Sequence, residues 1–249
     1  MKFLCLATDY DGTLAQHGDV EDSTVAALKG LRETGRKLVL VTGREMPDLL
    51  KVCLFTELFD RIVAENGALL YHPAEESSKV LAPEPPEEFA EALRARGVAP
   101  VSVGLGIVAT REIYSGVVLE TIRELKLPLQ AIPNKGALMV LPSSIDKASG
   151  LRAALAELRL QPKEVVGIGD AENDFVFLGI CGYSVAVANA IPELKQQVQL
   201  ITQQTWGRGR GTHPKVAGQR TRHDRGRTRP PALSFPSTPR LFGVVSRIG

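Results

Sequence analysis

The sequence predicts an α/β fold: a doubly wound, Rossmann-like parallel-sheet core with a small α+β cap domain inserted in it. Three observations predict it. Short, almost continuous apolar runs alternate with helical stretches before residue 69 and again after 141, as in parallel strands buried on both faces and joined by right-handed crossovers. Between 69 and 141 the pattern changes to prolines, two helical stretches and several short apolar runs. At two strand ends, acidic residues stand where open α/β sheets hold their ligands.

The first strand is Phe3–Ala7, a short apolar run. It ends in Asp9-Tyr10-Asp11-Gly12-Thr13-Leu14. Residues two apart on an extended chain share a side, so Asp9 and Asp11 face one space. Gly12 permits a sharp turn, and Thr13 adds a hydroxyl and an N–H. Paired carboxylates beside free N–H groups suit a divalent cation together with a phosphate. Glu21-Asp22-Ser23 offers N-cap candidates for a helix to about Thr34, with Val25, Leu28 and Leu31 as its apolar stripe and Gly35 as its stop. Lys37–Val41 is a second buried strand and runs into Thr42-Gly43-Arg44, after which Pro47 opens a helix. Arg61–Ala64 is a third strand, leading into Glu65-Asn66-Gly67.

The insertion reads as α-β-β-α-β-β: a helix over Pro86–Arg96, strands near Val101–Val103 and Gly106–Ala109, a helix over Glu112–Leu125, and strands Leu129–Ile132 and Ala137–Leu141. This order predicts a small α+β module with an antiparallel sheet. The core resumes with Asp146-Lys147 opening a helix striped by Leu151, Leu155 and Leu158. Glu164–Gly169 then carries Asp170, Asn173 and Asp174 to the same sheet edge as Asp9 and Thr42. Tyr183–Val187 and Leu200–Thr202 supply two last strands, with a short helix over Pro192–Gln197 between them. The expected units are a core of 1–68 and 142–205, a cap of 69–141 and a tail of 206–249.

An apolar fraction of 44% suits a packed core, and no apolar run approaches the ~18 residues that span a bilayer. Cys5, Cys53 and Cys181 lack paired spacing and read as buried thiols of a reducing cytoplasm. Charge is unevenly spread. Ten of the 30 basic residues but only one of the 28 acids, Asp224, lie from Trp206 onward, which leaves 1–205 acidic. The Arg/Gly/Pro-rich tail buries too little apolar surface to fold and is read as disordered. Nucleic acid binding is expected only through this tail, if at all.

Asp9–Leu14 behind an apolar strand resembles motif one of the haloacid dehalogenase superfamily of phosphatases and phosphotransferases. Gly169-Asp170-Ala171-Glu172-Asn173-Asp174 resembles its motif four closely. Thr42 and Lys147 fall where motifs two and three belong, and the inserted module resembles the cap of class IIB, the Cof-like group. This resemblance implies a Mg²⁺-dependent phosphomonoester hydrolase acting on a small phosphorylated metabolite, most commonly a sugar phosphate. It makes Asp9 the nucleophile and Asp11 the acid and base. Thr42, Gly43, Lys147 and Asn173 would bind phosphate. Asp9, Asp11 (through its backbone carbonyl), Asp170 and Asp174 would hold the metal. Arg44, Asn66 and Lys135 are candidates for substrate contacts. The alternatives are a phosphosugar mutase with the same nucleophile, and a non-catalytic regulatory or nucleic-acid-binding protein that uses the tail.

Overall fold

The computed structural model describes residues 3–16, 18–134 and 136–202. The expected tail and Lys135 lie outside the described residues. The core begins with β1 (Cys5–Thr8), α1 (Asp22–Glu33), β2 (Lys37–Val41), α2 (Met46–Val52), β3 (Arg61–Ala64), β4 (Leu69–His72) and β5 (Ser77–Val80). The insertion contains α3 (Glu87–Ala95), β6 (Ser102–Val103), β7 (Val108–Arg111), α4 (Ser115–Glu124), β8 (Leu129–Asn134) and β9 (Ala137–Pro142). The core closes with α5 (Lys147–Leu158), β10 (Val165–Gly169), α6 (Phe175–Ile180), β11 (Tyr183–Ala186), α7 (Pro192–Lys195) and β12 (Leu200–Ile201).

Eight strands form one sheet in the order β12-β11-β10-β1-β2-β3-β4-β5. The first six are parallel, and β4 and β5 add an antiparallel hairpin at one edge. β1 lies at the centre, with Leu6 opposite Val166 on one side and Leu38 on the other. Central position explains the continuous apolar runs: both faces are covered, so Leu38, Val39, Leu40 and Val41 are all fully buried. Each such side chain contributes about 1.5–3 kcal/mol relative to exposure. Glu21 is the N-cap of α1 but makes no capping hydrogen bond there, so this helix is held by its buried Ala27, Leu28 and Leu31.

The start of the insertion differs from the expected 69. β4 and β5 belong to the core sheet, and the second sheet, β6-β7-β9-β8, begins only at Ser102. The physical reason is β4 itself. Leu69 and Leu70 are fully buried against the main core, which a cap strand would not be. The second sheet is antiparallel throughout, and the α-β-β-α-β-β order holds. Alternation sorts its side chains. Leu138 and Val140 pack with Phe89, Leu93 and Val118 beneath the cap helices, while Met139 and Leu141 join Ile107 in a separate small cluster.

Candidate active site

Five parallel strands deliver loops to one edge of the main sheet. β1 ends in Asp9, whose N–H continues the ladder to the Ile168 carbonyl at 2.9 Å. β2 ends in Thr42-Gly43-Arg44, β3 in Glu65-Asn66-Gly67, and β10 in the turn that carries Asp170, Asn173 and Asp174. Beyond β11, the Asn189 side-chain amide donates to the Gly12 carbonyl at 2.7 Å and ties that loop to the Asp9 turn.

Lys147 arrives from the first turn of α5. Asp146 caps that helix by accepting from the Ser149 N–H at 2.7 Å, and the Ser149 hydroxyl accepts from the Asp146 N–H at 2.9 Å. This reciprocal box holds the turn rigidly. Gly67 permits the approach: with φ of 109°, a Cβ there would stand 2.0 Å from the Asp146 carbonyl oxygen. Lys147 is 1% exposed and donates to Asp9 Oδ1 at 2.7 Å and to Asp174 Oδ1 at 2.6 Å. The other Asp174 oxygen accepts the N–H groups of Asp170 at 2.7 Å and Ala171 at 3.0 Å.

Burial pushes the Asp9 carboxyl up to about 8, with Asp174 and Asp170 adding to the rise and Lys147 opposing it. Burial also works against the Lys147 charge, but Asp174 and Asp9 outweigh it and hold the ammonium above its ordinary range. Asp9, Asp170 and Asp174 each offer an oxygen, all within 4.8 Å of one another. One lysine thus stands among three buried carboxylates. A hard, all-oxygen donor set of high negative charge fits Mg²⁺ chemically.

Asp11 stands apart from this cluster. Its carboxylate is held by the Arg44 guanidinium, Nε and Nη2 each donating at 2.6 Å, and that guanidinium also lies 5.7 Å over the Tyr10 ring. The expectation that Asp11 joins the metal set therefore rests on its backbone carbonyl, because the planar fork of Arg44 occupies its side chain. Thr42 is buried, and its hydroxyl accepts from the Arg44 N–H at 3.1 Å. Asn66, in left-handed backbone at φ 54°, accepts at its Oδ1 from the Asn173 amide at 3.0 Å. Among the described residues, Asn66 Nδ2, Asn173 Oδ1 and the Thr13 hydroxyl are buried without a hydrogen-bond partner. Such groups stand ready for a polar ligand.

The structure thus brings together Asp9, Thr42, Gly43, Asn66, Lys147, Asp170, Asn173 and Asp174, with Asp11 and Arg44 paired at their rim. Sequence reasoning missed Glu65. It is 1% exposed, and its carboxylate accepts from Gly106 N at 2.7 Å and Leu105 N at 3.2 Å, in the β6–β7 turn of the insertion. Burial raises its pKa, and these two N–H groups partly offset the rise. An acid directly after the apolar strand Arg61–Ala64 was the available signal. Met139, on β9, was read only as a strand residue.

A family model described as haloacid dehalogenase-like hydrolase matches residues 6–114 and 122–209. The phosphoglycolate phosphatase of Methanothermobacter thermautotrophicus is 29% identical over 212 residues, covering 82% of this chain and 94% of the relative. That of Haloarcula marismortui is 30% identical over 219 residues, covering 82% and 92%. Among solved structures, Thermoplasma acidophilum 0175 superposes with a TM-score of 0.73 at 15% identity, covering 83% of this chain and 94% of that one. The subclass IIB sugar phosphatase BT4131 superposes with a TM-score of 0.67 at 19% identity, covering 81% and 93%.

Proposed function

The chain belongs to the haloacid dehalogenase-like hydrolases, with the class IIB layout, and on that premise we propose that it is a Mg²⁺-dependent phosphatase that cleaves small phosphate monoesters through an aspartyl-phosphate. The observation that carries the reading is the buried Asp9–Lys147–Asp174 array beside Asp170. Sugar phosphates and phosphoglycolate are the two substrate types to which the named relatives point.

An oxygen of Asp9 attacks phosphorus as the ester P–O bond breaks, and the departing alkoxide takes a proton from Asp11. Asp11 then removes a proton from water, which attacks the aspartyl-phosphate and releases inorganic phosphate and free Asp9. Lys147 neutralises charge on Asp9 and orients it for attack. The Thr42 hydroxyl, the Gly43 N–H and the Asn173 amide grip the phosphoryl oxygens. Asp9, Asp170, Asp174 and the Asp11 carbonyl would hold Mg²⁺, which supplies positive charge where two anions meet. The Arg44 clamp holds both oxygens of the Asp11 carboxylate and fixes its orientation. The acid role requires that clamp to loosen, as it would when a substrate anion draws Arg44 away. The cap closes the site from above and excludes water.

The test is phosphate release from a panel of sugar phosphates and phosphorylated acids, with and without Mg²⁺, by the wild type and Asp9→Asn. Release that needs both Mg²⁺ and Asp9 supports the reading. No release by folded wild type sinks hydrolysis. Transfer of phosphate to a sugar hydroxyl without release would favour the mutase alternative.

A further inference from the structure

We infer that Met139 limits the size of the leaving group, so that the site takes phosphate esters of short acids and alcohols and disfavours those of hexoses. This inference rests on the phosphatase reading above. Met139 lies on the face of the cap sheet opposite the cap helices, in a row with Ala109 on β7 and Ile132 on β8. That face meets the core at the phosphate-binding loop. A Cβ built on Gly43 would stand 2.5 Å from Met139 Cε, 3.0 Å from its Sδ and 3.5 Å from the Asn173 amide nitrogen. The thioether therefore packs directly on Gly43 and beside Asn173, two of the groups proposed to grip phosphate, and it is 8% exposed.

The cap is fastened in this position. Glu65 holds the turn at Leu105 and Gly106 from inside, and the Ser102 hydroxyl donates to Glu45 at the rim. A leaving group leaves the phosphoryl position beneath Met139. A hexose there would press its hydroxyls against Ala109, Met139 and Ile132, which offer no side-chain hydrogen bonds, and burying unpartnered hydroxyls is unfavourable. A two- or three-carbon group clears the thioether and reaches toward the half-buried guanidinium of Arg44.

The test is kcat/KM for 2-phosphoglycolate and for glucose 6-phosphate, measured with the full chain and Mg²⁺ in the wild type, Met139→Ala and Met139→Val. The wild type should favour phosphoglycolate. Met139→Ala should raise the glucose 6-phosphate to phosphoglycolate ratio by about tenfold or more, mainly through a lower KM for the hexose ester, and Met139→Val by less. Valine suits a strand, so it decides the matter if the alanine variant fails to fold. A ratio that stays within about twofold of wild type in the folded variants overturns the inference and leaves the phosphatase reading intact. A wild type that prefers glucose 6-phosphate does the same. No phosphate release from either ester or from p-nitrophenyl phosphate overturns the phosphatase reading, and the inference falls with it.

Discussion

Arg44 donates to both oxygens of the Asp11 carboxylate, at 2.6 Å each, while its own backbone N–H donates to the Thr42 hydroxyl. One residue thereby links the proposed acid–base group to the phosphate loop. A lysine at 44 would keep the charge but lose the fork. Arg44→Lys should lower kcat/KM about 10- to 100-fold. The pair is partly exposed, so its loss should move Tm little. Steady-state kinetics beside a melting curve separate the two effects, and full activity in the variant would remove Arg44 from the mechanism.

Lys147 is the cation shared by two buried carboxylates. Lys147→Met leaves Asp9 and Asp174 facing each other without it. The expected cost is about 3–5 kcal/mol, read as a lower urea midpoint. Adding Asp174→Asn should restore part of that loss, because the two sites share one interaction. Strict additivity in the double variant would contradict the coupling.

Mg²⁺ should stabilise the folded chain through the cluster of Asp9, Asp170 and Asp174. At about 100 times its Kd, the gain is about 2.7 kcal/mol. A thermal melt should shift upward with Mg²⁺ and return with EDTA, and Asp170→Asn should abolish most of the shift. An identical shift in Asp170→Asn would place the ion elsewhere.

Glu157, on α5, binds Arg61 at 2.9 Å and His72 at 2.8 Å, fastening that helix to β3 and β4. Burial pushes its carboxyl up, but the hydrogen bonds from Arg61 and His72 outweigh it and bring it down to about 2 from the ordinary 4.5. A carboxyl depressed in the folded state stabilises above its unfolded value and loses that contribution as pH falls from 4.5 to about 2. With a quarter of the side chain open to solvent, screening reduces the effect to about 1 kcal/mol or less. Glu157→Gln should therefore flatten the acid limb of a stability–pH curve over that window while changing stability at pH 2 little.

The floor of the candidate site was legible because its residues close short apolar strands. Asp9, Thr42 and Asp170 follow runs whose burial on both faces forces them to the sheet edge, and Lys147 follows a capping aspartate. Residues 69–80 were assigned to the cap with no strands of their own, whereas they form β4 and β5 of the core sheet. Periodicity marks a strand but carries no information about its partner, and Ser77–Val80 is exposed along its whole length. The roles of Glu65 and Met139 were hidden for a related reason. Both depend on how the insertion docks, and docking is decided by surfaces that meet only after each part has folded. Local spacing also could not show that Arg44 would claim the Asp11 side chain.

Asp9 and its lysine lie 138 residues apart in the chain. On a ribosome adding about 5–20 residues each second, roughly 7–30 s pass between the making of one and the other. Throughout that interval β1 has no β10 beside it, and the Asp9 carboxyl has neither its counterion nor the neighbouring acids that unsettle it. The nascent front half can pair β1 with β2 and β2 with β3 in this time, and the cap can collapse around Phe89 and Val118. The candidate site can assemble only when the second half of the core docks, so synthesis order separates the formation of a folded scaffold from the appearance of its chemistry.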